Sequence, residues 1–571
     1  MSRVDELLSL HLPPARRGLP VQPVKWLIIG TAILVLLGIV AWPLAWLFKF
    51  SLTSEDGHFT LETFRTVVTE PGMLDAAWNS LRLVVSVVIC TTFIGTLLAW
   101  IVARTDTPGK NLIVGAVGIT FVIPTFITVI AWIFLAAPNS GYLNTLLKSL
   151  LHLEAQPFNI ISFSGLVFIE TLHLYPLVFF SVLSALNNVD ASYEQAARIL
   201  GAGRLRSSLT ITLPLVLPAI LASTILVMLD TLSSFGAPAV IGTMANFSVL
   251  TTKLYDLMSF PPHLNMAAAI AVPIVLYTLL CLAVQRLFIG HDDFRTLSGK
   301  VTKGQVLSLG RWRWLMMAVV VAVVFISVVL PMTSLLLLSL IKVLGVDISL
   351  DNLALENYRH LFNQSEAAFG AMKNSLTLAF ATATLCASLA VICAWVVERT
   401  QLAGRGTITV LIMIAYGFPS IAFGVGIMLG YVSALYGTLT LLLIAYTAKQ
   451  LPVAFVLVRT ALRQISVDLE EAARIAGAGW LRIMLDITLP LLKVSVGIGW
   501  VLVFSLSIRE LSMSVMLAQT DSQVMSTVIM QYIADGSIEQ AATLSVIIVA
   551  ISVLVLGIVW KVSGRTVSSS E

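Results

Sequence analysis

Apolar runs of about twenty residues, long enough to cross a bilayer as helix, recur along this chain with short polar breaks between them. They lie near 26–50, 81–103, 112–136, 163–186, 215–236 and 266–289, and again near 314–341, 374–397, 408–435, 439–460, 491–517 and 540–562. None alternates with period two, and all exceed a barrel strand in length. Inside lipid only the α-helix then satisfies their backbone. The pattern predicts an all-α integral membrane protein with twelve transmembrane helices in two sets of six. The expected layout is an amino-terminal tail (1–25), a first half (26–289), a polar linker (290–313), a second half (314–562) and a carboxyl-terminal tail (563–571).

The two sets are copies. Asn79-Ser80-Leu81 returns as Asn374-Ser375-Leu376, Trp100 as Trp395, Arg104-Thr105 as Arg399-Thr400 and Pro124 as Pro419, each 295 residues later. Pro176 and Pro452 are only 276 apart, so the first half carries 19 extra residues between its third and fourth spans, in the outer loop near 137–162. Six spans return the chain to its starting side, so the repeat is parallel.

The most polar stretch of each half is the best preserved between them. EQAARILGAGRLRSSLTITLPL runs from Glu194 to Leu215, and EEAARIAGAGWLRIMLDITLPL from Glu470 to Leu491, with 16 of 22 positions identical. Its residues predict a helix, a turn and a second helix. Asp190 or Ser192, and Asp468, are candidate caps. Gly201 and Gly203, then Gly477 and Gly479, are candidates for a positive φ at the turn. Pro214 and Pro490 are expected to open a new apolar helix.

This stretch resembles the cytoplasmic E-A-A-x3-G-x9-I-x-L-P loop of inner-membrane permeases from binding-protein-dependent ABC importers. Glu471, Ala472, Ala473, Gly477, Ile487, Leu489 and Pro490 fit in full. Ala196, Ala197, Gly201, Leu213 and Pro214 fit in the first copy, where Gln195 stands at the glutamate position and Glu194 precedes it. The resemblance implies the type I (MetI-like) permease fold and assigns both loops, Glu194 and Glu470 included, to coupling with an ATPase. It further implies two copies of a separate ABC ATPase, which would use ATP and Mg, and a periplasmic substrate-binding protein. This chain itself would bind no cofactor and no resident metal. The fused layout and the Ser233-Ser234-Phe235-Gly236-Ala237-Pro238 run look most like ferric-iron permeases. Relatives for 2-aminoethylphosphonate, thiamine, polyamines or sugar phosphates are the alternatives, and an ion-coupled secondary carrier is the alternative of another class.

Composition narrows the rest. The 571 residues are 58% hydrophobic and 11% charged, with mean hydropathy +0.95. The net charge of +4 is too small for a nucleic-acid partner; it orients the chain in lipid. With both termini, both repeated loops and the linker in the cytoplasm of a bacterium, 24 of the 34 Lys and Arg fall on that side. Trp26 to about Phe50 is too long for a signal core and reads as a retained span in the inner membrane. Cys90, Cys281, Cys386 and Cys393 lie in apolar stretches as packing thiols. Gly299-Lys300 lacks the phosphate-loop spacing, and no HExxH occurs, so no enzyme chemistry is expected.

Ionisable residues inside spans are costly and so become candidates for a translocation path or gate. These are Glu170 and His173 on the fourth span, Asp230 on the fifth, Lys449 on the tenth, and Arg509 and Glu510 toward the outer end of the eleventh. The plainer alternative is that Glu170, His173 and Asp230 satisfy one another or nearby backbone. Ile123-Pro124-Thr125 and Gly417-Phe418-Pro419-Ser420 mark places where a helix can break.

Overall fold

The computed structural model describes residues 23–54, 56–259, 261–289, 306–345, 349–402 and 404–568, and the counts below are of these. Of the expected tails and linker, 1–22, 290–305 and 569–571 lie outside the described residues. Among these residues ten helices are long and apolar enough to cross a membrane, and there are twelve crossings when each of two bent pairs is counted as one span.

Each half spends its third crossing on a bent pair. Lys110–Phe121 meets Thr125–Ala136 at 98°, and Arg405–Gly417 meets Ser420–Leu435 at 114°. Proline causes both breaks: it has no N–H to donate and pushes the preceding residue out of the α region. Ile123 (ψ 121°) and Phe418 (ψ 133°) are accordingly extended. The continuous spans expected over 112–136 and 408–435 are thus corrected to broken ones.

Other prolines are absorbed without a break. Pro43, Pro214, Pro331 and Pro490 each follow a five-residue π turn, whose wider girth makes room for the ring. Pro214 and Pro490 therefore lie within the continuous helices Ser208–Ser233 and Trp480–Ile508 and do not start them, contrary to expectation.

In each half the second, fourth and fifth spans pack together: Met73–Arg104, Phe163–Asn188 and Ser208–Ser233, then Glu366–Arg399, Leu439–Gln464 and Trp480–Ile508. Contact in lipid rests on close packing, and small residues permit it. A Cβ on Gly95 would sit 2.7 Å from Val178 Cβ, so the second and fourth spans meet backbone to backbone there.

The halves interlock through crossed arms. The first span, Trp26–Ser51, lies on Ser420–Leu435 of the other half, and the seventh, Trp312–Leu340, lies on Thr125–Ala136. Trp42 Nε1 donates to the Gly430 carbonyl (3.0 Å), and the Tyr431 hydroxyl to that of Gly38 (2.8 Å). On the opposite side Tyr175 Oη, Ser327 Oγ and Thr120 Oγ1 share hydrogen bonds across the boundary.

Outside the core, the extra first-half sequence forms a helix, Tyr142–Leu151, tied down by the buried Asn144. Its Nδ2 donates to the carbonyls of Ala137 and Phe158, and its Oδ1 accepts from the Phe158 N–H. The second half has only residues 436–438 at this place, between Leu435 and Leu439. At the other end, the chain leaving the linker pairs Leu307 with Thr105 in a parallel bridge. The Leu309 N–H donates to Asp106 (2.9 Å) and holds that carboxyl below its ordinary pKa.

Candidate functional site

Both breaks border one cavity of about 320 Å³ between the halves. All six intramembrane candidates line it: Glu170, His173 and Asp230 from the first half, Lys449, Arg509 and Glu510 from the second. They are brought together by helix geometry and by the crossing of the halves. Glu170 and His173 share a face of the fourth span, as their i, i+3 spacing requires. Asp230 lies one turn before the end of the fifth span, and Arg509 caps the end of the eleventh.

Each break leaves backbone carbonyls without an intrahelical donor, at the negative end of a helix dipole. Cations supply the donors. Lys449 Nζ donates to the carbonyls of Ala415 (3.5 Å), Tyr416 (3.2 Å) and Phe418. Arg509 reaches across the boundary and donates to the Phe121 carbonyl (2.8 Å). Its guanidinium also lies 5.7 Å from the Phe121 ring, against which His173 is stacked.

The acids are held differently. Glu170 is buried and accepts from the Ser234 hydroxyl (2.5 Å). Glu510 accepts from the Met513 N–H (3.1 Å). Asp230 is exposed to the cavity interior. Glu170, His173 and Asp230 make no hydrogen bond with one another among the described residues, while His173 has a backbone partner in Ile123, so satisfaction by backbone stands beside a shared polar lining. Tyr416, Gln450 and Ser234 also line the cavity; none of them was a path candidate in the sequence, where Ser234 stood out only as part of the Ser-Ser-Phe-Gly-Ala-Pro run. Gln450, next to Lys449, and Ser234, in the Ser-Ser-Phe-Gly-Ala-Pro run, were the available signals.

The repeated loops are built alike. Helices Ala191–Ile199 and Asp468–Ile475 end at Gly201 (φ 84°) and Gly477 (φ 87°), each followed by a short helix, Arg204–Ser207 or Trp480–Ile483. Gly203 and Gly479 do not take positive φ; Gly479 is extended (φ −72°, ψ 162°) and precedes the second helix. Asp190 Oδ1 accepts from the Ser192 N–H (2.9 Å), but Asp468 is the first helical residue and does not cap; Ser466 precedes it and donates to its carboxylate.

One carboxylate anchors each loop to the end of the second span of its half. Glu470 is 1% exposed and meets Arg399 Nε (3.3 Å), the Thr488 hydroxyl (3.3 Å) and Trp395 Nε1 (3.4 Å). Glu194 meets Arg104 (3.5 Å) and the Thr212 hydroxyl (2.7 Å). The motif positions Gln195, Ala196, Glu471 and Ala472 are exposed, as are Pro214, Leu489 and Pro490, while Ala197 is buried and Ala473 and Leu213 are half-buried. At the loop tips Ile199 and Ile475 are 87% and 89% exposed.

Residues 93–291 and again 387–568 match the family of binding-protein-dependent transport system inner membrane components. The chain belongs to that family. It is a multi-pass inner membrane permease of the ABC importer type, with two family units fused in one polypeptide, and the ion-coupled carrier is set aside. Over 503 residues the permease is 26% identical to a ferric transport system permease protein of Actinobacillus pleuropneumoniae, covering 86% of this chain and 72% of that one. An Fe(3+)-transport system permease protein of Haemophilus influenzae is 23% identical over 544 residues, covering 94% and 97%. A putative 2-aminoethylphosphonate transport system permease protein of Salmonella typhimurium is 30% identical over 290 residues, covering 51% of this chain and all of the relative.

Proposed function

We propose that this permease carries ferric iron, delivered from outside by a binding protein, through the cavity between its halves. The observation that carries the path is the convergence of Glu170, His173, Asp230, Lys449, Arg509 and Glu510 on one cavity at the two helix breaks. The iron assignment rests on likeness to full-length ferric permeases. Aminoethylphosphonate is the second reading, favoured by the higher identity of its half-length relative and by a lining that offers both signs of charge.

In this reading the two loops are docking elements, each for one copy of an ABC ATPase in the cytoplasm, where both termini also lie. The exposed Ile199, Leu200 and Ile475 would be covered by those subunits. ATP-driven closure of the ATPase pair would pull the loops together. The loops are tied to the second and fifth spans, so that pull would reach the cavity walls and switch access from one side to the other. The chain itself performs no covalent chemistry.

The test is reconstitution with the ATPase and binding protein encoded beside this chain. Uptake of radiolabelled ferric iron that depends on ATP is the expected result, with two ATPase copies per chain by complex mass. Uptake of aminoethylphosphonate in its place would move the substrate assignment and leave the path intact.

A further inference from the structure

A second polar cavity, about 500 Å³, lies on the flank of the second half alone. It sits where the end of the eighth span meets the start of the ninth and the last turns of the tenth. Arg405, Arg459 and Arg463 line it together with one carboxylate, Glu398. Arg459 Nε is 2.5 Å and Arg463 3.0 Å from the same Glu398 oxygen. Arg405 donates to the Thr400 carbonyl. Three guanidinium charges thus share one counter-charge, and each guanidinium keeps further N–H donors.

Two more features point to the occupant. Gly406 opens the cavity onto the first turn of Arg405–Gly417, a helix that begins at Gly404 (φ 83°) with no side-chain cap, so its backbone donors add to the positive field. Val397 and Val410 also line it, and Val410 is 49% exposed. Its lining thus joins three cationic side chains to an apolar part, Val397 and Val410.

The first half lacks it. The positions matching Glu398, Arg405, Arg459 and Arg463 are Ala103, Lys110, Leu183 and Asn187. The fold therefore stands without this cluster in one of its two copies, and a purely structural need for it would apply to both.

We propose that Arg405, Arg459 and Arg463 form a binding site for the phosphate of an anionic phospholipid headgroup. Basic pockets between spans on the cytoplasmic side suit such headgroups. The sidedness rests on the orientation proposed above, but binding itself does not, so the test is made on the purified chain alone.

The measurement is native mass spectrometry of the full chain in detergent, titrated with phosphatidylglycerol and, separately, with phosphatidylcholine. Wild type is expected to retain phosphatidylglycerol in clear preference. Arg405→Gln leaves the Glu398 pairs intact and is expected to weaken retention about fivefold, with Arg463→Gln similar. Lys110→Gln in the first half is the control and should change nothing. Melting temperature in the same detergent verifies folding, and Arg405→Gln alone decides the matter if Arg459→Gln does not fold. Equal retention by wild type and Arg405→Gln overturns the proposal. Displacement of the lipid by inorganic phosphate at equal concentration overturns the lipid as its source.

Discussion

The repeated loops and the mid-membrane cavity are both built from the same duplication, yet they have drifted by very different amounts. In the loops the anchoring triad is kept: Glu194, Arg104 and Thr212 return as Glu470, Arg399 and Thr488, with the glycine turn at matching φ. In the cavity hardly a charge is repeated. Glu170 faces Tyr446 in the alignment, His173 Lys449, Asp230 Leu506, Ser233 Arg509 and Ser234 Glu510. Under the proposed docking, two loops that meet two copies of one partner would be held to one shape. The proposed path, a single cavity between the halves, would be seen once by its substrate, which leaves each wall free to specialise; acids and cations are divided unequally between them.

The largest effect should come from breaking the buried anchor. Glu470→Ala leaves the Arg399 guanidinium, on a side chain 6% exposed, with the carbonyls of Leu462 and Ile465 but without its carboxylate, and loss of one partner from a buried pair costs about 3–5 kcal/mol. Glu194 is more exposed at 14% and makes fewer contacts, so Glu194→Ala should cost visibly less. Thermal unfolding of both variants in detergent, with ATPase co-purification, measures the difference. Equal losses would mean the second loop is not the stronger anchor.

Next is the cation at the ninth-span break. Lys449→Met leaves the carbonyls of Ala415, Tyr416 and Phe418 without their donor; the bond to Tyr416 is exposed, and for the part-buried Ala415 and Phe418 carbonyls about 1–3 kcal/mol each is the upper bound of the cost. The chain should still insert, because the apolar spans are unchanged, while uptake falls by more than about tenfold. His173→Met, at the matching first-half position, should be milder, since Arg509 already serves the Phe121 carbonyl. Uptake at matched membrane abundance is the readout, and a milder Lys449 variant would contradict the capping role.

The apolar spans, the repeat and the loops were legible because each leaves a one-dimensional trace: apolar length, a fixed offset, a spacing. Even the broken helices were marked by Pro124 and Pro419. What the pattern could not show was partnership. That Glu470 and not the exposed Glu471 carries the anchor depends on where Arg399 ends its span, 71 residues away. That Arg509 serves Phe121, 388 residues distant, depends on the crossing of the halves. Proline was misread at 214 and 490 because a π turn, which has no sequence period of its own, absorbs it.

The loop glycines probe transmission more than stability. Gly201 and Gly477 have open space where a Cβ would go, so a substitution meets only backbone strain at positive φ, about 1–3 kcal/mol for a β-branched residue. Gly477→Val and Gly201→Val should therefore reach the membrane normally and lose uptake with a loosely held ATPase, the second less severely because Gln195 already replaces one carboxylate. Full uptake by both would remove the docking role of the loops.

The smallest effect is expected where the halves differ most openly. The helix Tyr142–Leu151 has no counterpart in the second half, and it displays Leu146 and Leu150 at 60% and 69% exposure. Its backbone is fixed by Asn144 on the other face, so these leucines contribute nothing to holding it. Leu146→Ser with Leu150→Ser should change stability by no more than about 0.5 kcal/mol. A bilobed carrier docking on the outer surface meets two unequal halves, and this helix is the element that makes them unequal. The double variant should therefore keep its basal ATP hydrolysis and lose part of the stimulation by the binding protein. Unchanged stimulation, measured with the binding protein in excess and at limiting concentration, would leave the helix as a lipid-facing ornament of the loop and return the two halves to equivalence outside the membrane.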